Sequence, residues 1–127
     1  MTELSNNSIR ATVLGGSGLV PFVTLALASG MAVGSLSHSA TFAFVVYAGV
    51  ILSFLGGIQW GLAIGGRNAG TLADEEFCML LTMSVVPSLI AWAGVYAWSS
   101  LWGLLLLAAG YLLALACLLY TSDAADD

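Results

Sequence analysis

Apolar residues in this chain do not alternate with polar ones; they run. No Asp, Glu, Lys or Arg occurs in residues 11–66 or in residues 77–122. A helix needs about 20 apolar residues, rising 1.5 Å each, to cross about 30 Å of hydrocarbon. Each uncharged stretch therefore holds two spans. The pattern predicts an all-α polytopic membrane helix bundle, with four transmembrane helices at about 12–34, 41–65, 77–97 and 101–120. The breaks fall at 34–39, 66–76 and 98–100, and connections this short make neighbouring helices antiparallel, in up-down hairpins. His38 is expected in the first of these loops.

Composition agrees with the pattern. The 127 residues are 60% hydrophobic and 7% charged, with a mean hydropathy of +1.01, whereas soluble domains carry about 25% charge. Two basic residues, Arg10 and Arg67, cannot make the basic face that nucleic-acid binding needs. So much apolar sequence also excludes disorder. The lipid bilayer is the one partner that composition demands.

Arg10 precedes the first span and Arg67 follows the second, so an even number of crossings puts both on one side. Basic residues are retained in the cytoplasm, which orients the N-terminus inwards. Trp92, Tyr96, Trp98 and Trp102 cluster at the opposite end, where amphipathic rings favour the interface. Ala26-Leu27-Ala28 has the form of a signal-peptidase site, but Gly15, Gly16, Gly18 and Pro21 interrupt the apolar core that a signal requires. The first span is expected to stay.

The last eleven residues, 117–127, read CLLYTSDAADD, which matches the translation of a transposon adapter used in sequencing libraries. On that reading residues 1–116 form a single transmembrane domain, truncated at its C-terminus, and 117–127 are a non-native tail. Removing Asp123, Asp126 and Asp127 takes the net charge from −5 to −2. Cys78 is then the one cysteine left, and no intrachain disulfide can form.

Span two carries small residues at every fourth position: Gly49, Ser53, Gly57, Gly61 and Gly65. On a helix they form a ridge that lets another helix approach backbone to backbone. Its expected partner is span one, through Ala26, Gly30 and Gly34; homo-oligomerisation through the same ridge is the alternative. Pro21 and Pro87 lie within spans one and three, and each frees the carbonyl four residues earlier, at Ser17 and Met83. Such a carbonyl needs a partner in hydrocarbon. Ser17 lies about 8 Å and Gln59 about 9 Å from the inner ends of their spans at 1.5 Å per residue. Gln59 is therefore expected to donate to the Ser17 carbonyl. Val20-Pro21 and Val86-Pro87 stand 66 residues apart, a spacing more in keeping with coincidence than with duplication. In the loop, Thr71 and Asp74 have capping-box spacing, and Asp74, Glu75 and Glu76 suit the dipole of a helix start.

The inventory of reactive groups is short. No ionisable Asp, Glu, Lys or Arg lies within a span, which argues against a proton-coupled transporter. His38 and Cys78 each stand alone, so no catalytic residues, metal ligands or cofactor-binding residues are assigned. The Gly15-Gly16-Ser17-Gly18 stretch lacks the ending of a phosphate loop and instead loosens the start of span one.

Residues 14–22, LGGSGLVPF, and 47–61, YAGVILSFLGGIQWG, together with 87–92, PSLIAW, resemble signature stretches of a small bacterial membrane family, domain of unknown function 3429, which has a mitochondrial transmembrane relative. The resemblance covers most of residues 14–116. It implies an integral protein of the bacterial inner membrane and a signature cluster of Pro21, Phe22, Ser53, Gly57, Gln59, Trp60 and Gly61. It also implies a polar segment after the last helix, with an aspartate, a tryptophan-tyrosine pair and an arginine, where this chain has the adapter-like tail. It brings no activity and no cofactor.

Two functions follow as expectations. The first is a non-enzymatic accessory or assembly subunit that works by helix packing, as a homo-oligomer or within a larger membrane complex. The second is a small-molecule or lipid-binding protein or transporter, with Ser53, Gln59 and Trp60 lining a midmembrane cavity opened by the prolines. A membrane enzyme ranks third.

Overall fold

The computed structural model describes the backbone of residues 2–126 and the side chains of residues 6–121. It is all-helical, with no strand among the described residues. Five helices follow one another: α1 Thr2–Ser17, α2 Leu19–Met31, α3 Ser35–Asn68, α4 Asp74–Tyr96 and α5 Leu101–Asp126. Four segments are long and apolar enough to cross a membrane: Asn6–Met31, Ser35–Asn68, Asp74–Tyr96 and Leu101–Thr121. The four expected spans are present.

Two of these segments, Ser35–Asn68 and Asp74–Tyr96, run further into the connections than hydropathy predicts, because hydropathy marks the length of hydrocarbon and not the length of helix. Residues 35–39 form the first turns of α3, so His38 stands on a helix rather than in the expected loop. Arg67 lies in the last turn of α3, where a cation meets the negative end of the dipole. Asp74, Glu75 and Glu76 occupy the first turn of α4, as expected.

The expected capping box is displaced. The residue before α4 is Ala73, and its N–H donates to a carboxylate oxygen of Glu76 at 3.3 Å. Thr71 is engaged elsewhere: both its N–H and its hydroxyl donate to the carbonyl of Gly66, each at 3.0 Å. Those two bonds close the α3–α4 turn. Gly70 sits within it at φ +71°, a left-handed conformation open to glycine at little steric cost.

By internal contacts the chain divides into two compact units, Met1–Tyr47 and Ala48–Asp127, and α3 contributes to both. In the first unit the helix breaks at Gly18, as the glycine-rich run suggested. Pro21 thereby falls in the first turn of α2, where a missing N–H removes no hydrogen bond. The Tyr47 hydroxyl donates to the half-buried carbonyl of Gly18 at 2.7 Å. The Phe22 and Phe44 rings meet with centroids 5.0 Å apart, and Ser37 Oγ donates to the Ser29 carbonyl at 3.1 Å. These three contacts tie α2 to α3.

The second unit has the denser core. Ala48, Leu52, Gln59 and Ala63 are buried on α3; Ser84, Pro87, Ala91 and Gly94 are buried on α4. Among the described residues of α5 the buried positions are Gly103, Leu107, Gly110 and Ala114. Spacings of three and four residues on both α4 and α5 define a helical seam. Its residues are mostly small, so the two backbones come close.

Candidate functional site

The packing site of the second unit starts from a proline. Pro87 supplies no N–H, yet α4 continues through it, and its ring is fully buried. One turn earlier, the Ser84 carbonyl faces Gly56 of α3 so closely that a methyl group at Gly56 would overlap it. The Ser84 hydroxyl donates back to the Leu81 carbonyl at 2.6 Å and so stays within its own helix. Gly56 and Pro87 thus make a matched pair, with a helix that has lost a hydrogen bond resting on a helix with no side chain at that point.

Around this pair the contacts are close. A methyl group at Gly49 would lie 2.6 Å from Cγ2 of Val95, and one at Gly110 would lie 2.6 Å from Cδ2 of Leu52. The Tyr111 hydroxyl donates to the Ala48 carbonyl at 2.7 Å. Gln59, only 6% exposed, donates from Nε2 to the Ala114 carbonyl at 3.2 Å. The Gln59 amide therefore joins α3 to α5, a correction to its expected bond with the Ser17 carbonyl. The premise of that expectation also changes, since Ser17 ends α1 and Pro21 belongs to a new helix. Two polar bonds between helices at membrane depth are modest stabilisers, about 0.6 kcal/mol each on average. Their geometry fixes the rotation of α5 against α3.

The candidate residues of the sequence separate into three groups. Gly49, Ser53, Gln59 and Pro87 belong to the packed side of the second unit, where Ser53 Oγ returns to the Gly49 carbonyl at 3.0 Å. Gly57, Gly61 and Gly65 lie on an exposed face, with no atom of the second unit within 4 Å of where their side chains would begin. Trp60 flanks them and is 45% exposed. Pro21 and Phe22 stand in the first unit, Pro21 exposed and Phe22 half-buried. The ridge of small residues is thus divided: its Gly49 end packs against α4, and its other end is open within this unit.

Sequence reasoning passed over Gly56, Ser84, Gly94, Gly103, Gly110, Ala114, Tyr47 and Tyr111. The small residues of α4 and α5 carried a readable sign, because Ser84, Ala91 and Gly94, and Gly103, Gly110 and Ala114, recur at helical spacing. The two tyrosines carried none, since nothing in an apolar stretch says which carbonyl a phenol will reach.

A cavity of about 580 Å³ opens at the end of the second unit that carries the α3–α4 turn. Leu62 and Gly66 of α3, Thr71 and Leu72 of the turn, Glu76, Met79 and Leu80 of α4, and Tyr120 and Thr121 of α5 line it. Beside it Arg67 forms an ion pair with Asp74 and lies over the Phe77 ring, 5.5 Å from its centroid. At the other end of α4 the exposed rings of Trp92 and Tyr96 stack 6.2 Å apart, as amphipathic side chains do at a membrane interface.

Comparison with known proteins agrees with this membrane architecture. Transmembrane protein 69 of Xenopus tropicalis is 44% identical over 82 residues, which are 65% of this chain and 30% of that protein. No solved structure matches. A family model described as "Protein of unknown function (DUF3429)" matches residues 8–125, a range that includes most of the adapter-like stretch. The chain, with its four membrane-spanning segments, belongs to the DUF3429 family.

Proposed function

We propose that this protein is a non-enzymatic accessory or assembly subunit of the bacterial cytoplasmic membrane, with its N-terminus in the cytoplasm, acting through helix–helix packing in a homo-oligomer or a larger complex. The observation that carries this reading is the division of the α3 ridge. Gly56, Leu52 and Gln59 on one side of the helix pack within the second unit, while Gly57, Gly61 and Gly65 present bare backbone on the other. Association in lipid draws little on the hydrophobic effect, so close backbone contact of this kind is a main way for helices to adhere. The Gln59 amide is engaged with the Ala114 carbonyl, a bond between helices that supports the packing reading over a cavity centred on Gln59.

The test replaces Gly57 and Gly61 together by leucine and compares association in bilayers, by energy transfer between labelled copies, with the melting temperature in detergent. The reading expects association to fall and melting to hold. Unchanged association overturns it, and a lowered melting temperature with unchanged association assigns the ridge to the chain's own fold.

A further inference from the structure

The cavity at the α3–α4 turn has no part in helix packing, and its chemistry is uneven. Its 580 Å³ falls within the range of about 300–1,000 Å³ common to small-molecule sites. Leu72, Met79 and Leu80 give it apolar walls, while Thr71 and Glu76 bring a hydroxyl and a carboxylate to the same lining. Asp74 already engages Arg67, the one basic residue of this turn, so Glu75 and Glu76 leave the turn with an uncompensated negative charge. The Ala73 N–H donates to one oxygen of Glu76 and holds its carboxylate in place. A carboxylate can accept about four hydrogen bonds, so this one retains capacity.

We propose that the cavity binds a single-chain amphiphile with a primary ammonium head, its aliphatic tail against Leu72, Met79 and Leu80 and its head on the Glu76 carboxylate. The charge decides the class of head group. An anionic head would meet the negative charge of the turn, and a neutral alcohol would forgo the charge-assisted bond, which is roughly twice as strong as a neutral one. Tyr120 and Thr121 complete the α5 wall and belong to the adapter-like stretch, but every group assigned to head or tail lies before residue 117. This assignment is independent of the packing function.

The experiment uses the full chain in phosphatidylcholine nanodiscs with two photoreactive probes, hexadecylamine and hexadecanol bearing a diazirine in the tail, and maps the labelled peptides by mass spectrometry. The amine is expected to label residues 72–80 about tenfold more than the alcohol does, the ratio given by a charge-assisted bond of about 1.4 kcal/mol. Glu76→Gln keeps an acceptor for the Ala73 N–H and is expected to abolish that preference. Glu75→Gln removes the same charge outside the lining and is expected to leave it intact, as is Tyr120→Ala. Equal labelling by the two probes, an amine preference that survives Glu76→Gln, or one lost in Tyr120→Ala would each overturn the assignment. So would labelling spread along the lipid-facing helices, which is partition into the bilayer only.

Discussion

Two valine–proline pairs stand inside membrane helices of this chain, and their surroundings are opposite. Pro21 is exposed, in the first turn of α2, just after a break at Gly18. Pro87 is fully buried in the middle of an unbroken α4. At Pro21 the helix restarts, so the missing donor matters little, and the half-buried Gly18 carbonyl is met by the Tyr47 hydroxyl. At Pro87 the helix continues, and Gly56 of the neighbouring helix makes room for the turn that precedes it. A proline in a span can thus be accommodated by its own helix or by an adjacent one. The choice follows from whether a residue without a side chain lies opposite.

The same contrast extends to the two units. In the first the Tyr47 phenol meets the Gly18 carbonyl, the Phe22 and Phe44 rings meet, and Ser37 bonds to Ser29, while α2 contributes no buried residue. The second is held by a seam of small residues with Leu52 filling its centre. In lipid an exposed leucine is not penalised, so an apolar surface does not distinguish a tight unit from a loose one. Close packing does.

Substitutions can break that contrast, and the largest effect is expected from Gly56→Val. The added side chain meets the Ser84 carbonyl, and overpacking of this kind reaches about 3 kcal/mol. Unfolding in detergent should show the loss, whereas Gly57→Val, one residue along, should leave the second unit's stability unchanged. Next comes Leu52→Ala at a fully buried position. Its cost should be about 2 kcal/mol, the low end of the values for soluble cores, because the transfer of a methyl group from water plays little part in a membrane. Leu27→Ala, at a site 57% exposed in the first unit, should cost almost nothing by the same measurement.

A smaller effect is expected from Gln59→Leu, which removes the bond to the Ala114 carbonyl. About 1 kcal/mol should be lost, and a disulfide linking cysteines placed on α3 and α5 should form less readily as their relative rotation loosens. Smallest is Tyr47→Phe, at about 0.6 kcal/mol. Its mark should be local, as faster hydrogen exchange around Gly18 in the first unit with the second unit unaffected. If Tyr47→Phe instead speeds exchange in α4 and α5, the division into two units is wrong.

Much of the fold could be read from the chain. Four spans followed from the uncharged stretches, and Asp74 to Glu76 marked the start of α4. The helix ends did not follow, since residues 35–39 are polar enough to suggest a loop and still coil into α3. The packing of small residues on α3 was legible in kind, and the face that packs within the second unit was not. Glycine at every fourth position identified α3 as the helix with a bare ridge, but the buried face lies one residue round, through Leu52, Gly56 and Gln59. A helix turns about 100° per residue, so that single step decides which neighbour is met. Gln59 shows the same limit, because depth along a helix axis fixes which carbonyls lie at its level but not on which side.

What the sequence determined by itself is that this protein lies in a membrane, has four spans and keeps its charges towards the ends of those spans. Water and lipid impose that result one residue at a time, through the transfer energy of each side chain. What only the tertiary structure decided is which small residues are covered, which carbonyl the Gln59 amide reaches and where a cavity is left. Those depend on the rotation and closeness of helices distant in sequence, and in a medium as apolar as the side chains themselves only steric fit and polar pairing select among the arrangements.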